Sequence, residues 1–140
     1  MSIIARSAGG LKIEITAGDH QFLADEPIEV GGEDAGPNPY DLLLASLAAC
    51  TVMTLHMYAR RKQWPLETVE IKLDTYKIHA RDCEDCESDP NARVDIIERD
   101  LAFAGDLSAE QKSRLLEIAD RCPVHRTLTT ETKIRTTLSS

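Results

Sequence analysis

The sequence predicts an α+β protein that forms a single domain over residues 1–140, and two observations support this. Apolar residues alternate with polar ones in several separate stretches, and two other stretches have the spacing of helices. The order is strands, a long helix, two strands, a helix and a strand, which favours segregated elements over a doubly wound sheet. A chain of 140 residues can form one hydrophobic core but not two enzymatic domains.

The first elements are a hairpin and short strands. Residues 3–6 and 11–16 flank the turn Ser7-Ala8-Gly9-Gly10, and the second stretch alternates apolar and charged residues. Residues 18–37 are rich in Gly, Asp, Glu and Pro and predict short strands, at Phe22–Leu23 and Ile28–Val30, followed by a loop. His20 belongs to a turn, so we expect it to face solvent.

A long apolar helix begins near Asn38, which is a good N-cap, with Asp41 in the first turn. Residues 42–59 contain no acid, lysine or arginine, and a basic cluster follows. A short transmembrane helix has the same pattern, but the polar residues within the run and the amphipathic surroundings favour a buried helix, with no membrane as partner. Since one chain of this size has few elements to surround such a helix, we expect a second subunit to cover part of it.

The second half of the chain predicts two long strands, a helix and a final strand. The strands span residues 67–79 and 93–104, and each changes the face on which its apolar residues fall, which predicts a bulge or a sharp bend. Ser108 and Gln111 form a capping box before a helix over 108–121. Residues 130–138 alternate in the manner of a strand.

Composition excludes several classes of function. The 24 acids and 16 bases give a net charge of −8, and only 4% of residues are aromatic, so nucleic acid is an unfavourable partner. The N-terminal residues lack the pattern of a signal peptide, which together with the cysteines predicts a reducing, cytoplasmic location. Small-molecule chemistry is the remaining expectation.

Cys50 and Cys122 differ in their surroundings. Cys50 lies in the middle of the apolar helix, where core packing is the default and reactivity requires a cation or donor from elsewhere. Cys122 precedes Pro123, and if this proline opens a helical turn, backbone donors, His125 and Arg126 would stabilise a thiolate. Alternatively, Pro123 only ends the preceding helix and Cys122 completes its apolar stripe.

Cys83 and Cys86 form a CxxC pair in an acidic loop, with His79 four residues upstream. These three residues are a weak candidate metal site, because the sequence has no second cysteine pair to complete it. The leading expectation is therefore that the protein binds no metal. A local disulfide and a passive hairpin tip are the alternatives. The neighbouring acids disfavour thiolates and so argue against a thioredoxin-like nucleophile.

Two segments together resemble one known family. Residues 31–51, Gly-Gly-Glu-Asp-Ala-Gly-Pro-Asn-Pro-Tyr-Asp-Leu-Leu-Leu-Ala-Ser-Leu-Ala-Ala-Cys-Thr, and residues 115–125, Leu-Leu-Glu-Ile-Ala-Asp-Arg-Cys-Pro-Val-His, are similar to the OsmC/Ohr family of thiol peroxidases. The resemblance implies an OsmC-like fold in which curved, antiparallel-rich sheets wrap long central helices of an intertwined homodimer. It implies no cofactor.

The resemblance also implies roles for residues. Cys50 matches the peroxidatic cysteine, which forms a sulfenic acid with a hydroperoxide, and Cys122 matches the resolving cysteine, which forms a disulfide with it. A lipoyl- or thioredoxin-type dithiol would restore both thiols. The family glutamate corresponds to Tyr40 in this chain, and the candidate supporting residues are Arg6, Asp41, His125 and Arg126.

Three hypotheses follow. The leading one is a cytoplasmic hydroperoxide reductase that acts through Cys50 and Cys122 in the response to oxidative stress. The second is a non-catalytic dimer that binds a small apolar ligand at the subunit interface. The third is a zinc-dependent redox sensor built on residues 79–86.

Overall fold

A computed structural model describes residues 1–139 and confirms the α+β class. The chain divides into two compact units, Met1–Ser46 and the part from Leu47 onward. Helix α1, Pro39–Lys62, begins in the first unit and ends in the second. The prediction of one domain remains a prediction.

The first unit contains a three-stranded antiparallel sheet. Its strands are β1, Ile3–Ser7; β2, Ile13–Ala17; and β3, His20–Ala24, and they pair in that order. The predicted hairpin is therefore confirmed, and His20 is exposed. The strand predicted at Ile28–Val30 is wrong, because these residues form a 3-10 helix. Pro27 precedes that turn and Gly31 ends it in the left-handed region (φ 102°), which limits the segment to one turn.

Asp25 organises the loop after β3. Its buried carboxylate accepts hydrogen bonds from the backbone N–H groups of Glu26, Glu33 and Ala35, at 2.8, 3.0 and 3.1 Å. Burial raises the pKa of Asp25, but the three backbone donors and the charge of Lys12 together outweigh burial. The pKa of Asp25 therefore lies below its ordinary value of 3.8.

Helix α1 begins as the sequence predicts. The Asn38 side chain accepts a hydrogen bond from the Asp41 N–H at 2.8 Å, and the Asp41 carboxylate accepts one from the Asn38 N–H at 3.1 Å. Among residues 1–139, α1 is the one helix long and apolar enough to cross a membrane, with a mean hydropathy of 1.7 over its best window. Core helices of soluble proteins share this composition. Within this single chain only 22% of that window is buried.

A long hairpin forms the sheet of the second unit. Strands β4, Thr68–His79, and β5, Arg93–Ala104, pair antiparallel without interruption from Thr68 opposite Ala104 to His79 opposite Arg93. Of the predicted bulge or sharp bend, the bulge is therefore wrong, and the bend stays a prediction. The apolar pattern changes face because the two halves of the ribbon bury opposite faces, with Val69 and Leu101 in one half and Ile78 and Val94 in the other. A long two-stranded ribbon twists enough to allow this.

The core of the second unit lies between α1, the near half of the hairpin and helix α2, Ala109–Ala119. The Ser108–Gln111 capping box at the start of α2 is confirmed. The buried residues at the centre of this core are Leu55, Tyr58, Leu115, Ile118 and Ala119. The Arg114 guanidinium donates a hydrogen bond to the Tyr58 hydroxyl at 3.2 Å, and this bond is the main reason why the pKa of Tyr58 is lowered.

A short helix α3, Pro123–Thr129, follows α2. The strand predicted over residues 130–138 is wrong for this chain, because residues 131–139 are irregular. A strand requires a neighbour to accept and donate its backbone hydrogen bonds, and no described strand pairs with this segment. Its apolar side chains remain uncovered, and Ile134 is 89% exposed.

Candidate functional site

Cys122 is the N-cap of helix α3. Its side chain is fully buried, and its Sγ accepts a hydrogen bond from the His125 N–H at 3.3 Å. Pro123 occupies the first helical position, where its missing N–H costs nothing. The N-cap interpretation of Cys122 is therefore confirmed, and a single backbone donor points at its sulfur.

Thr51 brings helix α1 against this sulfur. Its Oγ1 lies 3.7 Å from Cys122 Sγ and also donates a hydrogen bond to the Leu47 carbonyl at 2.7 Å. Because a hydroxyl has one hydrogen, the Cys122 thiol is the donor in the contact with Thr51. Thr51 therefore links one turn of α1 to the buried thiol of Cys122.

Arg99 connects the elements around Cys122. Its guanidinium donates to Thr51 Oγ1 and the Ala119 carbonyl, both at 3.1 Å. It also donates to Asp120 Oδ1 at 2.8 Å and to His125 Nδ1 at 2.9 Å. Only 13% of the Arg99 side chain is exposed. One cation therefore ties α1, the end of α2 and α3 together beside a buried thiol.

The contact with Arg99 defines the state of His125. Arginine can only donate, so His125 Nδ1 must accept and the ring carries its proton on Nε2. The Asp120 carboxylate is 4.0 Å from the same nitrogen and pairs directly with Arg99 instead. His125 is thus a neutral imidazole oriented by Arg99.

Sequence reasoning missed Arg99, although a signal was present. Residues 97, 101 and 103 of β5 share one inward face, and Arg99 occupies the same parity between them. A charged residue in register with a buried apolar face either pairs or serves a site. The alternation in β5 could therefore have identified Arg99 as a candidate site residue. It could not have identified the four groups that accept its hydrogen bonds.

A cavity of about 210 Å³ opens beside this cluster. Its polar side is formed by Asp95, Arg99, His125 and Thr129, and its apolar surface by Leu47, Ile97 and Leu128. Mixed lining of this kind suits a small molecule with a polar end and an apolar body. Neither Cys50 nor Cys122 is among the residues that line it.

Cys50 is partly exposed and its thiol is free. It immediately precedes Thr51, so its side chain leaves α1 in a direction about 100° away from the contact with Cys122. Within residues 1–139, the Cys50 sulfur makes no hydrogen bond. Among the described residues, no positively charged side chain contacts Cys50, although one was expected from the sequence.

The four supporting residues are placed differently. His125 joins the cluster around Cys122, whereas the Arg126 side chain is exposed and only its backbone N–H bonds to the Cys122 carbonyl. Asp41 is part of the cap of α1. Arg6 is exposed in β1 of the first unit, opposite Glu14. Tyr40, at the position of the family glutamate, is 58% exposed.

The second cysteine pair forms a disulfide at the tip of the β4–β5 hairpin, between Cys83 and Cys86. The Asp85 carboxylate lies 3.3 Å from Cys83 Sγ, and ligand atoms of these three residues lie within 4.8 Å of one another. His79 is not in this group, so the predicted ligand set is corrected by replacing His79 with Asp85. Helical backbone at 80–82 separates His79 from the pair, and its Nδ1 is buried without a hydrogen-bond partner among the described residues.

Comparison with known proteins identifies the family. The family model described as OsmC-like protein matches residues 31–137. A search of curated proteins found no match. Among solved structures, the OsmC-like protein from Mycoplasma pneumoniae has a TM-score of 0.71 at 19% identity, over 91% of this chain and 85% of that one.

Two further structures carry the name of organic hydroperoxide resistance proteins. The OsmC protein from Legionella pneumophila has a TM-score of 0.64 at 22% identity, over 92% of this chain and 90% of that one. OhrB from Bacillus subtilis has a TM-score of 0.61 at 22% identity, over 91% and 89%. These similarities show a common fold. With a family match over residues 31–137, the chain belongs to the OsmC family.

Proposed function

We propose that this protein is a thiol-dependent peroxidase that reduces organic hydroperoxides through Cys50 and Cys122 and thereby contributes to resistance against oxidative stress. The family includes organic hydroperoxide resistance proteins. The observation that carries the proposal is the contact of Cys122 with Thr51, the residue next to Cys50. Adjacent Cα atoms are about 3.8 Å apart, so Cys122 meets the turn of α1 that bears Cys50.

The proposed cycle has three steps: formation of a sulfenic acid, formation of a disulfide, and reduction of that disulfide. The Cys50 thiolate attacks the terminal peroxide oxygen, the O–O bond breaks, and a proton converts the leaving alkoxide into an alcohol. Cys50 becomes a sulfenic acid. The Cys122 thiol then displaces water from this sulfenic acid and forms the Cys50–Cys122 disulfide. A small dithiol in the cytoplasm returns two electrons and two protons and becomes a disulfide itself.

The cluster around Cys122 supports a resolving role. A resolving thiol must lie near the peroxidatic cysteine, and the Cys122 thiol contacts Thr51, the residue next to Cys50. Arg99 donates hydrogen bonds to Thr51 and His125 and so fixes the positions of both side chains beside Cys122. Arg99 is therefore a positioning residue in this cycle. The cavity beside Arg99 and His125 would accommodate the apolar part of the peroxide.

We also propose that the active form is a homodimer. Met53 and Met57 are 62% and 67% exposed, and with Cys50 they share one face of α1 at spacings of three and four residues. A second subunit on this face would remove water from Cys50 and cover the apolar helix. Analytical ultracentrifugation tests this, and Met57→Glu should shift the dimer towards monomer while Met1→Glu, at an exposed terminus, should not. A monomeric wild type would overturn the homodimer.

Peptide mapping by mass spectrometry tests the peroxidase cycle. One equivalent of cumene hydroperoxide is added to the fully reduced protein, and thiols are then alkylated and mapped. We expect a Cys50–Cys122 disulfide in the wild type and a trapped sulfenic acid at Cys50 in Cys122→Ser. Cys83→Ser is the matched control and should behave as the wild type, because Cys83 lies outside the cluster.

An unmodified Cys50 under these conditions contradicts the peroxidase. The favoured function would then be the alternative, a dimer that binds a small apolar ligand without turnover. A Cys122 sulfenic acid that forms and accumulates in Cys50→Ser would instead reverse the roles of the two cysteines.

A further inference from the structure

The tip of the β4–β5 hairpin carries a group of side chains that the peroxidase cycle does not use. Cys83 and Cys86 are half-buried and Asp85 is exposed, and their sulfur and oxygen atoms lie within 4.8 Å of one another. The turn that bears them is held by backbone bonds from the Ala80 N–H to the Ala92 carbonyl and from the Cys83 N–H to the Ala80 carbonyl. These bonds involve only backbone atoms, so they do not require the Cys83–Cys86 disulfide.

We propose that, once the disulfide is reduced, Cys83, Cys86 and Asp85 bind one divalent cation of the Zn²⁺ class, with water as the fourth ligand. Two thiolates and one carboxylate are among the ligands that Zn²⁺ takes in tetrahedral sites. The position at the exposed tip leaves room for water. The site is distinct from the Cys50–Cys122 pair and goes beyond the proposed peroxidase function.

The charges around the tip favour a cation. Five carboxylates occur between residues 82 and 89. A divalent cation bound to Cys83, Cys86 and Asp85 would be the largest local charge, and the neighbouring carboxylates attract it. The acids around the cysteine pair therefore favour it as a metal site.

The Cys83–Cys86 disulfide must be reduced before both sulfurs can bind a cation. A dithiol reductant supplies two electrons and two protons, opens the S–S bond and becomes a cyclic disulfide. Zn²⁺ then displaces the two thiol protons. In the reverse direction, a hydroperoxide and two protons convert the two bound thiolates into the disulfide, an alcohol and water, and the cation is released.

The tip is separated from the Cys122 cluster. Arg99 pairs with Leu73, and the paired ribbon ends six residues further along, at His79 opposite Arg93. At about 3.3 Å per residue, this is about 20 Å of strand. Metal binding at the tip therefore does not require the cysteines of the peroxidase cycle, which allows the two proposals to be tested separately.

Cadmium titration of the reduced full-length protein under nitrogen tests the site. The readouts are the ultraviolet cadmium–thiolate absorption band and the stoichiometry of bound Zn²⁺ in competition with a chromophoric chelator. We expect one cation per chain, with the band absent before reduction. Cys83→Ser and Cys86→Ser should each abolish the band, and Asp85→Asn should weaken binding about tenfold.

The matched control is the double variant Cys50→Ser/Cys122→Ser, which cannot perform the peroxidase cycle but should bind one cation with unchanged affinity. Addition of cumene hydroperoxide to its zinc-loaded form should release the cation and restore the Cys83–Cys86 disulfide. No binding by the reduced wild type would overturn the metal site. Binding that survives both Cys83→Ser and Cys86→Ser would also overturn it, and retention of zinc after disulfide formation would overturn the redox release.

Discussion

The two cysteine regions of the second unit provide opposite environments for the same functional group. Cys122 is fully buried, and its sulfur meets a backbone N–H and a hydroxyl that Arg99 holds in place. Cys83 and Cys86 lie at a solvent-facing tip among carboxylates. The comparison teaches that residue type alone does not decide thiol chemistry. The neighbouring charges and the access of water decide it.

The two regions also differ in what holds them. The near half of the β4–β5 ribbon packs on the core of α1 and α2, whereas most residues of the loop at its tip, 81–91, are exposed. Gly105 marks the anchored end, since its φ is 130° and a Cβ there would lie 2.0 Å from the Pro65 carbonyl oxygen. We therefore expect substitutions near the core to affect the whole unit and those at the tip to act locally.

The largest expected effect is on stability, at the anchored end. Leu115→Ala should lower the free energy of unfolding by about 2–5 kcal/mol, because Leu115 is completely buried and its truncation leaves a cavity. Leu116→Ala is the matched control, since Leu116 is 52% exposed, and it should change stability by less than about 0.5 kcal/mol. Urea unfolding followed by Trp64 fluorescence measures both. Equal effects of the two variants would contradict the core described here.

The second prediction concerns the buried thiol. Arg99→Gln removes the guanidinium from Thr51 and His125, and hydrogen bonds to charged groups are worth about 1.5–3 kcal/mol each. We expect kcat/KM for cumene hydroperoxide to fall about 10- to 100-fold. Arg99→Lys should restore only part of the rate, because one ammonium group cannot reach four acceptors in a planar arrangement.

The control for Arg99→Gln is its thermal unfolding curve, which separates lost positioning from lost folding. The rate of Cys50–Cys122 disulfide formation from a preformed sulfenic acid provides the specific readout. If that rate equals the wild-type rate, Arg99 has no positioning role.

A third prediction compares a satisfied carboxylate with the exposed ones at the tip. The folded pKa of Asp25 is below 3.8, so its contribution to stability is present above pH 3.8 and is lost as the pH falls through the folded value. In Asp25→Asn this acid-dependent loss should shrink, whereas Glu84→Gln should leave it unchanged. Unfolding free energies measured between neutral pH and pH 3 test the difference, and identical pH profiles for Asp25→Asn and wild type would refute it.

The smallest effect is expected at the tip. Glu87→Gln should change the free energy of unfolding by less than about 0.5 kcal/mol, since Glu87 is exposed and lies beyond the paired strands. The same variant should weaken cadmium binding slightly, because it removes one of the nearby negative charges. A stability loss comparable with that of Leu115→Ala would show that the tip belongs to the core after all.

Most elements followed from the sequence because their signals are local. The cap of α1, the capping box of α2 and both long strands depend on residues within a few positions of each other, and the structure confirms them. Residues 130–138 show the limit of such signals. Their alternation is that of a strand, but a strand forms only where a second strand offers its backbone groups.

The candidate site was less predictable. The motifs indicated Cys50 and Cys122, and the proline indicated the N-cap at Cys122. Arg99 was missed because its partners, Thr51 and His125, are 48 and 26 positions away. His79 was expected near the cysteine pair because of its spacing, but the helical turn at 80–82 separates it from the pair. Asp85 lies between the two cysteines in the sequence and joins them instead.

By itself, the sequence determined the α+β class, the starts of α1 and α2 and the cysteines that identify the OsmC family. These properties depend on periodicity, capping and short motifs, which are local in the chain. Only the tertiary structure decided that Arg99 reaches Thr51 beside Cys122 and that the long ribbon runs without a bulge. Such contacts depend on how distant segments pack and twist, and the spacing of residues along the chain does not encode those distances.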